Sequence, residues 1–149
     1  MITSLEDLLQ LHEGIRLYPY DDRTGKSLKE GDTLEGHLTI GVGRNLSTVG
    51  ISQKELRVML KSDIAHATKS ANGYKWFDAL SDSRKAVVVS MIFCMGSSGF
   101  KKFRRMRAAI SVKDWAKAAV ELLDSKFSRD VGNRALVLSE MLRTGEWPK

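Results

Sequence analysis

The chain has 149 residues, 42% of them hydrophobic, and a formal net charge of +6. That is enough for one domain with a sizeable core. It favours a polyanionic partner, whether nucleic acid, an acidic membrane surface or an anionic cell-wall polymer, and does not choose among them. A single cysteine excludes an internal disulfide, and the longest apolar run, Val87 to Met95 with Ser90 inside it, is too short to span a bilayer.

The N-terminal stretch "MITSLEDLLQLHEG" has no basic start, apolar signal core or cleavage site. It reads as a helix. Thr3 with Glu6, or Ser4 with Asp7, fits a capping box; Leu5, Leu8, Leu9 and His12 form the apolar stripe; Gly14 follows the last turn. Residues 15–46 are rich in glycine and turn residues. "HLTIGVG" alternates, with Leu38, Ile40 and Val42 on one face and Thr39, Gly41 and Gly43 on the other. A small antiparallel sheet with a long hairpin insertion is predicted. A capping box of Ser52 and Glu55 opens a helix of about twenty residues that runs to Gly73. Residues 82–95 read as a helix apolar almost all round, hence central, with Cys94 buried and Gly96 as the stop. "FKKFRRMRAAI" is a short basic helix, Ser111 and Asp114 cap the next, and residues 131–144 form the last, stopped by Gly145. The fold class is α+β and mostly helical.

The stretch "LHEGIRLYPYDD" carries the chemistry. Glu13 ends a helix, where the negative end of the helix dipole disfavours a carboxylate. The protonated form so favoured is the one a general acid needs. Arg16 offsets this if it pairs with Glu13. Pro19 forbids a continuing helix and holds Tyr18 extended, so the chain turns and runs as a strand to Asp21 and Asp22. That path allows Glu13 and Asp22 to face one another across a cleft, the minimal apparatus of most glycosidases. The same two aspartates also serve as a turn signal before Thr24 and Gly25. Thr39 is the third element. Glycines on its face leave room for close approach, and its hydroxyl can hold a water or a substrate hydroxyl. Threonine is also an ordinary strand residue.

A rival signal is "KKFRRMR", in which Lys101, Lys102, Arg104, Arg105 and Arg107 surround Phe103 and Met106. It reads as a solvated helix face with Phe103 and Met106 turned inward, as an adhesion surface for anionic polymers, or as a nucleic-acid site. His12, His37 and His66 are scattered without a metal-ligand pattern, so no metal and no cofactor is expected. No nucleophile elbow is present. Trp76, Trp115 and Trp147 read as packing anchors, and Arg134 as a support for a cleft through ion pairing.

In order along the chain, "LHEGIRLYPYDD", "LTIGVGRNL", "MIFCMGSSGFKKF", "DWAKAAVELLDSKF" and "GNRALVLSEMLRTGEW" resemble the phage-type lysozymes, the endolysin muramidases of glycoside hydrolase family 24. The resemblance implies a single lysozyme-like domain over residues 1–149. Its small β-containing N-terminal lobe would occupy about 13–58. A helical lobe of 1–12 and 59–149 would be joined to it by a long helix. The resemblance puts the catalytic acid on Glu13, the second carboxylate on Asp22 and the catalytic threonine on Thr39. Substrate contacts fall on Asn45, Phe93, Met106 and Glu121. Met106 and Glu121 stand where the family pattern leads one to expect polar, uncharged residues, and two further features depart from it. The hairpin between Asp22 and Thr39 is longer than in the shortest members, and Arg44 stands where many have histidine.

The resulting expectation is an endolysin that hydrolyses the β-1,4 bond between N-acetylmuramic acid and N-acetylglucosamine in peptidoglycan. Inversion is expected, with Glu13 as acid and Asp22 with Thr39 activating water. The protein is expected to be a monomer with no dedicated nucleic-acid partner. It would be made in the host cytoplasm and act on the wall after a separate membrane-permeabilising protein opens a route. The alternative is a non-catalytic basic helical protein that binds nucleic acid or peptidoglycan.

Overall fold

A computed structural model of the chain describes residues 2–148. The chain is α+β and mostly helical, with a small antiparallel sheet near its N-terminus, as the sequence predicts. Its contacts define two compact units, Met1–Arg57 and Val58–Lys149.

In the first unit, α1 spans Leu5–Glu13. Ser4 caps it by accepting from the Asp7 N–H at 3.1 Å, and the Asp7 carboxylate returns to the Thr3 N–H at 3.0 Å. The box therefore joins Thr3 and Ser4 to Asp7, and Glu6 is not its partner. None of the helix's residues is fully buried; Leu5, Leu9 and His12 are exposed and Leu8 half-buried.

Strands β1 (Arg16–Asp21), β2 (Leu38–Gly41) and β3 (Arg44–Asn45) form one sheet in the order β1-β2-β3. Pro19 sits in β1, an edge strand whose register with β2 shifts between Arg16 and Tyr20. An edge strand tolerates the missing N–H of proline. Its carbonyl is still used, accepting from the Leu28 N–H at 3.0 Å. The long insertion between β1 and β2 is held against the strand by this bond, by the Tyr20–Ser27 bridge and by the Asp21 N–H to the Lys26 carbonyl.

Helix α2 (Gln53–Ala71) begins in the first unit and continues into the second. Its start is the expected reciprocal box. The Ser52 N–H donates to Glu55 at 2.7 Å, and the Glu55 N–H donates to the Ser52 hydroxyl at 3.3 Å.

The second unit contains α3 (Asp82–Lys101), α4 (Arg104–Ser111), α5 (Trp115–Leu123), α6 (Lys126–Val131) and α7 (Asn133–Thr144). Helix α3 breaks at Gly96, where the sequence places its stop. Val87, Val88, Met91 and Ile92 are buried on α3, and they pack with Met106, Ile110, Leu122 and Leu142. Each such side chain contributes roughly 1.5–3 kcal/mol by burial.

Two expectations for α3 need correction. Phe93 is 47% exposed and Cys94 is also exposed, so the helix is apolar all round in sequence but buried on one side only. The side of the helix decides this and not the position along it, because Met95, nearer the Gly96 break, and Phe100 beyond it both meet the core.

Arg84 ties α3 to α7. Its Nε donates to the Leu142 carbonyl at 2.9 Å, and its guanidinium lies 3.9 Å from the Trp115 ring centre. Trp76 stacks on Tyr74 at 5.0 Å. Trp147 is 60% exposed, so the third expected anchor is not one. Its companions Leu136 and Pro148 line the same open groove.

Candidate functional site

Glu13, Asp21, Asp22, Thr39 and Asn45 all belong to the first unit. Glu13 is the last residue of α1 and is exposed. Its carboxylate meets the turn between β2 and β3, with Oε2 3.0 Å from the point where a β-carbon on Gly43 would stand. Arg16 is not its partner. Arg16 donates to the Gly25 carbonyl at 2.8 Å and to the Ser27 hydroxyl at 3.0 Å, and its guanidinium lies 4.1 Å from the Tyr20 ring centre. The cation expected to offset the helix-end carboxylate is therefore committed to the hairpin.

The two aspartates have different surroundings. Asp21 is buried, at 1% exposure. Its carboxylate accepts from the N–H groups of Arg23 (2.8 Å), Thr24 (3.2 Å), Glu35 (2.6 Å) and Gly36 (3.2 Å). Desolvation pushes the Asp21 carboxyl up; those four donors outweigh it and hold the group below the usual carboxylate range. Asp21 is thus the clamp that closes both ends of the insertion.

Asp22 is exposed. Its Oδ1 accepts from the His37 backbone N–H at 2.7 Å, and its Oδ2 lies 3.0 Å from His37 Nδ1. The backbone N–H is the largest influence holding the Asp22 carboxyl below the usual range. Desolvation opposes it, the His37 ring adds to it by hydrogen bond and charge, and the neighbouring Asp21 charge opposes it. Gly36 allows this close packing. A β-carbon there would overlap Asp22 Oδ1 and stand 2.7 Å from the Arg23 β-carbon.

Thr39 lies in β2 opposite Tyr20 of β1 and Asn45 of β3. It is 3% exposed and its hydroxyl donates to the His37 carbonyl at 3.0 Å. The sequence suggested an open hydroxyl; in the folded chain the donor is used and the oxygen keeps acceptor capacity. Asn45 turns its side chain to the loop after β3, accepting from the Thr48 N–H at 3.1 Å. Arg44 reaches Glu55 at 2.6 Å. A histidine–carboxylate pair does occur in this unit, between His37 and Asp22. Sequence reasoning missed it because His37 and Asp22 are separated by the whole insertion, and only the strand register brings them together.

The other residues singled out in the sequence lie in the second unit. Met106 and Glu121 line one cavity of about 490 Å³, with Lys102, Arg104, Arg105 and Lys126 around it. Met106 is at the same time 1% exposed and part of the helical core. Phe93 lines a separate apolar groove with Leu60, Ile64 and Val89.

Of the basic cluster, Arg107 turns inward. It donates to the Lys101 carbonyl at 2.6 Å and its guanidinium lies 5.4 Å from the Tyr74 ring centre. Arg134 donates to the Ser90 hydroxyl at 3.1 Å, where an ion pair was expected.

Comparison with known proteins gives one family match. The model described as phage lysozyme matches residues 10–142. Two relatives from Dictyostelium discoideum, called probable T4-type lysozyme 2 and probable T4-type lysozyme 1, are 27% and 26% identical. Each alignment covers 97% of this chain and 96% of the relative. The pre-baseplate central spike protein Gp5 of Enterobacteria phage T4 is 25% identical over 95% of this chain and 28% of its own length.

Proposed function

Because the chain belongs to the phage lysozyme family, we propose that it is a muramidase that cleaves the β-1,4 bond between N-acetylmuramic acid and N-acetylglucosamine in peptidoglycan. In this reading Glu13 is the general acid and Asp22 the general base. The observation that carries it is the contrast between the two aspartates. Asp21 has its carboxylate filled by four backbone donors, whereas Asp22 is exposed and keeps acceptor capacity on both oxygens.

A water between Asp22 and Thr39 would donate one hydrogen to each, because the Thr39 oxygen accepts while its own hydrogen stays on the His37 carbonyl. That water presents its lone pair to the anomeric carbon. Glu13 protonates the leaving oxygen, and the product inverts. Substrate contacts would come from Asn45, Phe93, Met106 and Glu121. Lys102, Arg104 and Arg105, beside the Met106 cavity, would draw the enzyme to anionic wall polymers.

An endolysin role follows: synthesis in the host cytoplasm and action on the wall as a monomer once another protein has permeabilised the membrane. Among the described residues no single helix is long and apolar enough to cross a membrane.

Clearing of a suspension of exposed peptidoglycan, wild type against Glu13→Gln, tests the activity. NMR of the first-formed anomer tests the stereochemistry. A β product formed first would replace direct water attack by a covalent intermediate on Asp22. No clearing by the wild type, with tight salt-sensitive adsorption, would favour a non-catalytic binding protein.

A further inference from the structure

We propose that His37 is a positioning residue for Asp22: its backbone N–H and its ring Nδ1 grip the two oxygens of one carboxylate and fix the edge that Asp22 offers to water. The inference rests on the reading of Asp22 as general base and adds a residue that the family match does not assign.

The geometry is bidentate. Oδ1 receives the His37 N–H at 2.7 Å, and Oδ2 faces Nδ1 at 3.0 Å. A single bond leaves a carboxylate free to rotate about its terminal torsion, which is broad and roughly two-fold. Two bonds to one residue remove that freedom. Gly36 closes the remaining side, because Asp22 Oδ1 occupies the space a β-carbon there would need. The same residue also contacts the third member of the site, since the Thr39 hydroxyl donates to the His37 carbonyl at 3.0 Å. One residue therefore holds Asp22 through its N–H and its ring, and Thr39 through its C=O. The lone pairs left on Asp22 and on Thr39 are set by the two peptide groups that flank the His37 α-carbon and by its imidazole.

The ring also acts by charge. The other charged group acting on the Asp22 carboxylate is Asp21 beside it, whose field opposes ionisation; Arg23 meets the Gly36 turn through its backbone and β-carbon. Glu35 enters through its backbone N–H, which is bound by Asp21. Glu13 lies against Gly43, beyond the end of β2. His37 is the cation-capable side chain in direct contact with Asp22. Its ring and the Asp22 side chain are 56% and 39% exposed, so salt weakens the charge effect but not the hydrogen bond.

The test is carboxyl-carbon NMR titration of Asp22 in the full chain, assigned by its absence in Asp22→Asn, together with the pH profile of wall clearing. In His37→Ala the backbone grip stays and the ring is lost. The Asp22 midpoint should rise, because the ring's hydrogen bond and its charge both favour the carboxylate. The acidic limb of the rate profile should move by the same amount. In His37→Gln, whose amide can donate, the rate at the optimum should recover above that of His37→Ala, and the midpoint should return part of the way, because the hydrogen bond is restored and the charge is not. An unchanged Asp22 midpoint in His37→Ala overturns the proposal whatever the rates do. A general loss of packing would lower the rate at every pH and leave the limb where it was. If the midpoint rises as expected but Asp22→Asn clears wall suspensions as fast as the wild type, His37 still holds Asp22, and it is the general-base assignment that fails.

Discussion

Glu13 and Gly43 are in contact across the first unit. Glu13 Oε2 stands 3.0 Å from the site of a β-carbon on Gly43, whose φ is 67°. Glycine is needed there twice, for the left-handed backbone and for the room beneath the carboxylate. Gly43→Ala should cost about 1–2 kcal/mol of backbone strain and lower Tm by roughly 2–8 °C. It should also displace the Glu13 carboxylate by a few tenths of an ångström or more. Activity should fall further than the lost stability explains, by about tenfold or more. Thermal melts read beside clearing rates at a temperature where the variant is fully folded check this. A folded Gly43→Ala enzyme with the wild-type rate would show that the glycine does not set the position of Glu13.

Glu13→Gln removes the proposed proton donor and keeps the shape. The rate should drop by about 10²–10⁴. Tm should stay equal or rise, because a carboxylate no longer sits at the negative end of the α1 dipole. A variant that clears wall suspensions normally takes Glu13 out of the mechanism.

Replacing the two aspartates should separate structure from chemistry. Asp21→Asn leaves buried N–H donors of the insertion facing an amide nitrogen, so Tm should fall and the insertion should become sensitive to proteolysis. Asp22→Asn keeps an oxygen for the His37 N–H and loses the proposed base, so Tm should change little and clearing should stop. The reverse pattern, with Asp21 essential for rate and Asp22 for stability, would exchange their roles.

The frame of this fold was legible in the sequence wherever the signal was local. Ser52 with Glu55, Gly14 after Glu13, Gly96 inside α3 and Gly145 after α7 each act within a few residues, and each marks the boundary it suggested. Helix α6 escaped because six residues give too short a period to read, though Ser125 caps it by accepting from the Ser128 N–H. The site was legible in its residue types and not in its partners. Asp21 and Asp22 look alike in "YDD". They differ because residues 23–24 and 35–37, at the two ends of the insertion, close on them with different N–H groups. Arg16 looked like a partner for Glu13 on spacing, but its guanidinium finds the Gly25 carbonyl and the Tyr20 ring on the same hairpin. Cys94 looked buried because hydropathy counts a residue type and not the side of a helix.

Acid should weaken the link between β3 and α2. The Ser52 N–H is the main influence that lowers the Glu55 carboxyl to about 2, with the Ser52 hydroxyl and Arg44 assisting. The folded value is depressed, so the stabilisation is fully present above the ordinary value of 4.5 and is lost as pH falls through about 2. Glu55→Gln should therefore lower Tm most at neutral pH, with the gap to wild type closing as pH falls from about 4.5 towards 2. A gap independent of pH would mean that the carboxylate charge contributes nothing and the capping geometry alone matters.

The basic run between α3 and α4 should divide by function. Lys102, Arg104 and Arg105 line an open cavity, whereas Arg107 donates to the Lys101 carbonyl and faces Tyr74. Replacing the first three together by alanine should weaken adsorption to purified peptidoglycan and flatten its dependence on salt, with Tm nearly unchanged. Arg107→Ala should do the opposite, lowering Tm through lost packing and hydrogen bonding while adsorption by the folded protein persists. Duplex DNA supplies the control. If the triple variant loses DNA binding by the same factor as wall binding, the patch is a general polyanion surface. If wall adsorption alone falls, the patch is matched to wall polymer. Adsorption unaffected by the triple change would place the wall contact elsewhere on the molecule.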